Sequence, residues 1–92
     1  MKITELAKLL DRKLEIRFPN VHGEWYASFH GGEIMSGGML ISEFGTGATP
    51  QGAISDYVRA IAGKRMAFGV GTSNRIEFEI PVDLQSISMF LP

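Results

Sequence analysis

No cysteine occurs in the 92 residues. That excludes disulfides, a thiolate zinc site and a cysteine nucleophile, and it fits a reducing compartment. Charge of one sign is lacking too: nine Lys and Arg stand against ten Asp and Glu, for a net charge of −1. No global field therefore draws in nucleic acid or an anionic membrane. No apolar run approaches the roughly 20 residues of a membrane span. The N-terminus is a charged amphipathic segment, not the apolar run of a signal peptide. Together these read as a soluble protein of the cytoplasm. The apolar fraction of 45 % suffices for one core, so residues 1–92 are expected to form a single domain.

What is present is a clear alternation of periodicities. Ile3, Leu6, Ala7 and Leu10 form one helical stripe, with Thr4 as its expected cap. Leu14, Ile16 and Phe18 alternate with Glu15 and Arg17 as a strand. Pro19–Gly23 reads as a turn. Trp25, Ala27 and Phe29 give a second strand, which Gly31-Gly32 interrupts, as a bulge or a close backbone approach, and Glu33-Ile34-Met35 continues. After Ser36-Gly37-Gly38, residues 39–44 read as a third strand. Gly45-Thr46-Gly47 is then a glycine turn into a helix capped by Thr49, with Pro50 at its first position. That helix carries Ala53, Ile54, Tyr57, Val58 and Ile61 on one face and ends near Gly63. Met66, Phe68 and Val70, then Ile76, Phe78 and Ile80, form a closing hairpin. The expected fold is α+β: an antiparallel sheet of about five strands with two helices, in the order α-β-β-β-α-β-β. Residues 82–92 form an apolar tail, with Leu84, Ile87, Met89, Phe90 and Leu91, that must dock on its own core or on a partner.

Chemistry is harder to find. The glycine turn superficially matches a phosphate loop, and free N–H groups at Gly52 and Ala53 would face an anion placed there. The turn lacks the lysine and hydroxyl of a P-loop and the βαβ context of a dinucleotide fold. As a nucleotide-binding signature it is weak, and it reads first as a plain strand-to-helix turn with a capping threonine. His22 and His30 with Glu33 and Glu43 have no metal-ligand spacing. Ser28, Ser36, Ser42, Ser55 and Ser73 carry no nucleophile elbow. Glu77 and Glu79 share one strand face with Arg75, as a solvated face would. No catalytic residue, metal ligand or cofactor is assigned, and an enzyme is not expected. Arg12, Lys13 and Arg17, Lys64 and Arg65, and the rings of Trp25, Tyr26 and Phe29 offer a basic-aromatic set for single-stranded nucleic acid. Trp25 and Phe29, however, share the core phase with Ala27.

The segments Trp25–Phe29, Leu40–Tyr57 and Ile61–Lys64 resemble a family of small uncharacterised bacteriophage and prophage proteins. Gly47, Thr49, Pro50, Ala53 and Ile54 also stand where HicB-like antitoxins have a strand, a Gly-x-Thr-Pro turn and a helix. The phage resemblance implies a non-enzymatic accessory protein of the anti-defence type in the cytoplasm of a bacterial host. Such a protein sequesters a small anionic ligand, such as a signalling nucleotide, or blocks a host protein, as a homo-oligomer. Pockets of that kind use backbone N–H groups, aromatics and arginines. Here the resemblance points to Gly45, Thr46, Gly47, Thr49 and Gly52 with Trp25, Tyr26 and Arg65. The HicB resemblance implies instead a toxin-binding module whose partner is a small basic ribonuclease. Single-stranded nucleic-acid binding is a third reading.

Overall fold

A computed structural model describes residues 1–18 and 23–87. The elements are α1 (Ile3–Leu10), β1 (Leu14–Arg17), β2 (Trp25–Phe29), β3 (Glu33–Ser36), β4 (Met39–Ile41), β5 (Gly45–Gly47), α2 (Pro50–Ile61), β6 (Arg65–Phe68) and β7 (Ile76–Glu79). The class is α+β, and every pair of strands is antiparallel. The strands do not form one sheet of about five. They form a three-stranded sheet, β1-β2-β5, and a four-stranded sheet, β4-β3-β6-β7.

Two local differences account for the change. Gly31-Gly32 is a corner between sheets, not a bulge within a strand. β2 belongs to the first sheet and β3, just past the glycines, to the second. The run 39–44 also divides. Its first half is β4, paired with β3. The chain then crosses back, and Gly45–Gly47, expected as a turn, pairs with β2 as strand β5. The β3–β4 connection is a two-residue hairpin turn in which Gly37 and Gly38 both have positive φ, 58° and 81°. That conformation twists with the strands and strongly favours glycine.

Helix α2 lies across one face of the first sheet. Its stripe of Ala53, Ile54, Tyr57, Val58 and Ile61 is buried, and it meets β2 and β5 most extensively. The contact is unusually close. A Cβ on Gly45 would collide with the backbone of Ala53 and Tyr57, and one on Gly47 would lie 2.7 Å from Ala53 N. The glycines are there because a helix backbone sits where their side chains would be. Phe29 joins the layers, with its ring edge-on to Tyr57 at 5.8 Å and to Phe68 at 6.5 Å.

Helix α1 begins at Ile3, two residues earlier than a Thr4 cap would allow. The Lys2 N–H donates to Glu5 Oε1 at 3.0 Å, so Lys2 is the cap position. Ile3, Leu6 and Leu10 reach the core. The tail docks on its own chain as far as it is described. Leu84 is buried, Ile87 packs against the core, and Gln85 bridges to Lys2. Ser86 Oγ lies 3.1 Å from both Ser55 Oγ and Gln51 Nε2 on α2. Met89, Phe90 and Leu91, like the Pro19–His22 part of the expected turn, lie outside the described residues.

Gly45→Ala is expected to destabilise the protein by more than about 2 kcal/mol, since neither neighbouring backbone can yield. Urea unfolding measures this. A change within ~0.5 kcal/mol, usual for unconstrained positions, would contradict the close approach.

Candidate functional site

Because α2 covers one face of the first sheet, the alternate residues of β1 and β2 face the other way. Register sets them side by side: Glu15 opposite Ser28, and Arg17 opposite Tyr26. The segment Ser42-Glu43-Phe44, where the chain crosses between the sheets, and Glu33 at the start of β3 also border this face. The result is a cleft of about 500 Å³ lined by these side chains and by the Gly31-Gly32 corner.

The cleft has a defined electrostatic arrangement. Arg17 Nη2 donates to Glu15 Oε2 at 3.0 Å, and His30 Nδ1 lies 3.1 Å from Glu15 Oε1. Hydrogen bonds from Arg17, then His30, hold the Glu15 carboxyl below its ordinary range. The same ion pair, with a smaller contribution from Tyr26, raises the Arg17 guanidinium. Glu33 and Glu43 have no ion-pair partner among the described residues. Tyr26 and Phe44 meet edge-to-face, with centroids 5.9 Å apart and planes at 62°, making an aromatic corner beside those carboxylates.

Behind the cleft, α2 supplies hydrogen bonds that strands would otherwise make. β5 is too short to run alongside Phe29, whose N–H donates instead to the Tyr57 hydroxyl at 3.0 Å. On the outer side of β5, the Thr46 N–H donates to Asp56 Oδ2 at 2.9 Å. Burial, aided by the Glu43 charge, pushes the Tyr57 phenol up to about 12.

The residues singled out from sequence do not converge. Tyr26 lines the cleft. Thr46 pairs with it across the sheet. Gly45 and Gly47 are packing positions under α2. Thr49 Oγ1 accepts from the Gly52 N–H at 3.0 Å, and Thr49 O accepts from the Ala53 N–H at 3.0 Å. Both donors proposed for an anion are therefore already engaged. Trp25 stacks on Phe18 at 4.7 Å. Arg65, on the second sheet, pairs with Glu77 at 2.7 Å and Glu79 at 3.4 Å. Sequence reasoning missed Glu15 and Phe44 as cleft residues, and it weighed Arg17, Ser28, Glu33, Ser42 and Glu43 only for other chemistry, without bringing them together. The signal for four of the lining residues was present: Glu15, Arg17, Tyr26 and Ser28 are the outward phase of two adjacent alternating runs. No group of three His, Asp or Glu side chains among the described residues is placed to hold a metal. His22 lies outside them.

Comparison with family models, curated proteins and solved structures finds no match to the chain. No helix among the described residues is long and apolar enough to cross a membrane.

Tyr57→Phe is expected to cost about 1–3 kcal/mol at neutral pH, because it leaves the buried Phe29 N–H without an acceptor. The substitution also changes the alkaline limb of stability. The folded-state value of about 12 exceeds the ordinary 10.0. The protonated phenol therefore stabilises fully below pH 10, and that stability is lost as pH rises towards 12. Unfolding curves between these limits should fall for the native chain more steeply than for Tyr57→Phe. Parallel curves would contradict the assignment.

Proposed function

We propose that this protein acts by binding rather than catalysis, and that its cleft takes a basic segment of a partner protein. The observation that carries this is the pairing of two uncompensated carboxylates, Glu33 and Glu43, with the Tyr26–Phe44 corner. Arg17, the guanidinium in the lining, is already held by Glu15. An arginine or lysine side chain entering the cleft would meet carboxylates on one side and ring faces on the other. Cation–π contact contributes roughly 0.5–1 kcal/mol when exposed and about 2 when desolvated.

This chemistry favours one arm of the expected function, the blocking of a partner protein; the phage-type and homo-oligomer parts of that reading rest on other grounds. The chemistry gives less support to sequestering an anionic nucleotide at the start of α2, where the N–H donors are engaged within the chain. The toxin-binding reading draws on the same charge, since a small basic ribonuclease also presents arginines and lysines.

The test is an NMR titration with an arginine-containing hexapeptide, run beside a cyclic dinucleotide. The peptide is expected to shift the amides of Tyr26, Ser28, Glu43 and Phe44. Replacing both Glu33 and Glu43 by Gln should weaken it by about tenfold or more, equivalent to ~1.4 kcal/mol. Binding of the dinucleotide in the cleft, or an unchanged peptide affinity in the double variant, would contradict the proposal.

A further inference from the structure

The two sheets have four edges, β1 and β5 on one and β4 and β7 on the other. An exposed edge carries unpaired N–H and C=O groups and invites another strand unless charge or cover prevents it. Three of the four edges are guarded. β1 carries Glu15 and Arg17. β5 lies under α2, and the Thr46 N–H on its outer side is taken by Asp56. β7 carries Glu77 and Glu79, with Arg65 and Arg75 bound to them. β4, which reads Met39-Leu40-Ile41, has no charge, no proline and no cover from a helix among the described residues. Met39 is 67 % exposed and Ile41 39 %.

We propose that β4 is the self-association edge of the protein: two copies pair β4 against β4, antiparallel about a two-fold axis at Leu40, joining their four-stranded sheets into one. This deepens the homo-oligomer half of the proposed function and rests on that half alone. It does not depend on what fills the cleft.

The backbone register supports the placement of the axis. The two-residue turn at Gly37-Gly38 makes Ser36 and Met39 the closing hydrogen-bonded pair of the hairpin. Hydrogen-bonded and non-hydrogen-bonded pairs alternate along an antiparallel ladder. Leu40, opposite Met35, is therefore a non-hydrogen-bonded position, and its N–H and C=O point away from β3. Two copies can exchange both bonds at Leu40. The same geometry sets Met39 of each copy against Ile41 of the other, which covers the two exposed apolar side chains.

Charge favours β4 over β7 as the edge that receives a second copy. Self-pairing across a two-fold places residues against their own copies. On β7 it would bring Glu77 and Glu79 towards one another, and like charges directly opposite are destabilising. On β4 the facing set is apolar, and the flanking pair, Gly38 against Ser42, is small and uncharged. The pairing also bears on the cleft. Ser42-Glu43-Phe44 follows β4 directly, so a strand docked there holds the segment that forms one cleft wall.

Sedimentation of the full chain over a range of concentrations tests this. The expected result is a reversible rise from the mass of one chain to that of two, as befits an interface below about 1,200 Å². Met39→Lys with Ile41→Lys should leave a folded monomer, verified by circular dichroism. Ile76→Lys, on the β7 edge where Ile76 is 44 % exposed, should still dimerise. Leu40→Cys, the single thiol in a chain without cysteine, should be joined to its copy by a short bis-maleimide cross-linker, since the facing Cα atoms lie about 5.5 Å apart. A monomer at every concentration would overturn both the pairing and the homo-oligomer reading. A dimer that survives the double lysine variant, with no cross-link through Leu40→Cys, would overturn the β4 edge while leaving another oligomer in place.

Discussion

The close approach of α2 to β5 is the constraint from which the rest of the structure follows. Gly45 and Gly47 give the helix a seat at backbone distance. That seat brings Asp56 and Tyr57 within hydrogen-bond reach of the first sheet. Their side chains then take the Thr46 and Phe29 N–H groups that the short ladder leaves over. A strand of three residues is weak by itself, because it offers few ladder bonds and no side chains at its two glycines. Here the helix replaces what the strand lacks. Burial of Ala53, Ile54, Tyr57, Val58 and Ile61 on the same face supplies the apolar driving force.

The functional geometry is the complement of that packing. With one face of the first sheet committed to α2, its opposite face holds Glu15, Arg17, Tyr26 and Ser28. The crossing segment 42–44 can close a cleft over them only because the chain passes from β4 in one sheet to β5 in the other. The same crossing leaves β4 as an apolar edge next to a cleft wall. Cleft and edge are thus two results of one topological feature: the interruption of a single long run by a change of sheet.

Much of this was legible in the sequence where the signal is periodic. Helix α2, with Thr49 and Pro50 at its start, and the β6–β7 hairpin appear where the spacing of Ile54, Tyr57, Ile61 and of Met66, Phe68, Phe78 puts them. Periodicity could not reveal partners. Residues 39–44 alternate adequately for one strand, and nothing local says that Ile41 pairs with Ile34 while Gly45 pairs with Ala27. Gly45-Thr46-Gly47 was misread for a physical reason. Glycine marks both turns and close approaches, and only the presence of α2 above the strand distinguishes them. The cleft was hidden because its lining comes from separated segments and depends on the register of β1 against β2. Arg65 was drawn into the site by its charge, although Glu77 and Glu79 on the neighbouring strand already satisfied it.

Amide hydrogen exchange, resolved by residue, tests the central claim most directly. The claim is that α2 side chains complete the backbone bonding of the first sheet. It predicts that the Phe29 and Thr46 amides, which have no strand partner, are protected to the same degree as Ala27 at the centre of the ladder. Rapid exchange at Phe29 and Thr46 with protection at Ala27 would contradict it, and would mean that the sheet stands without the helix's help.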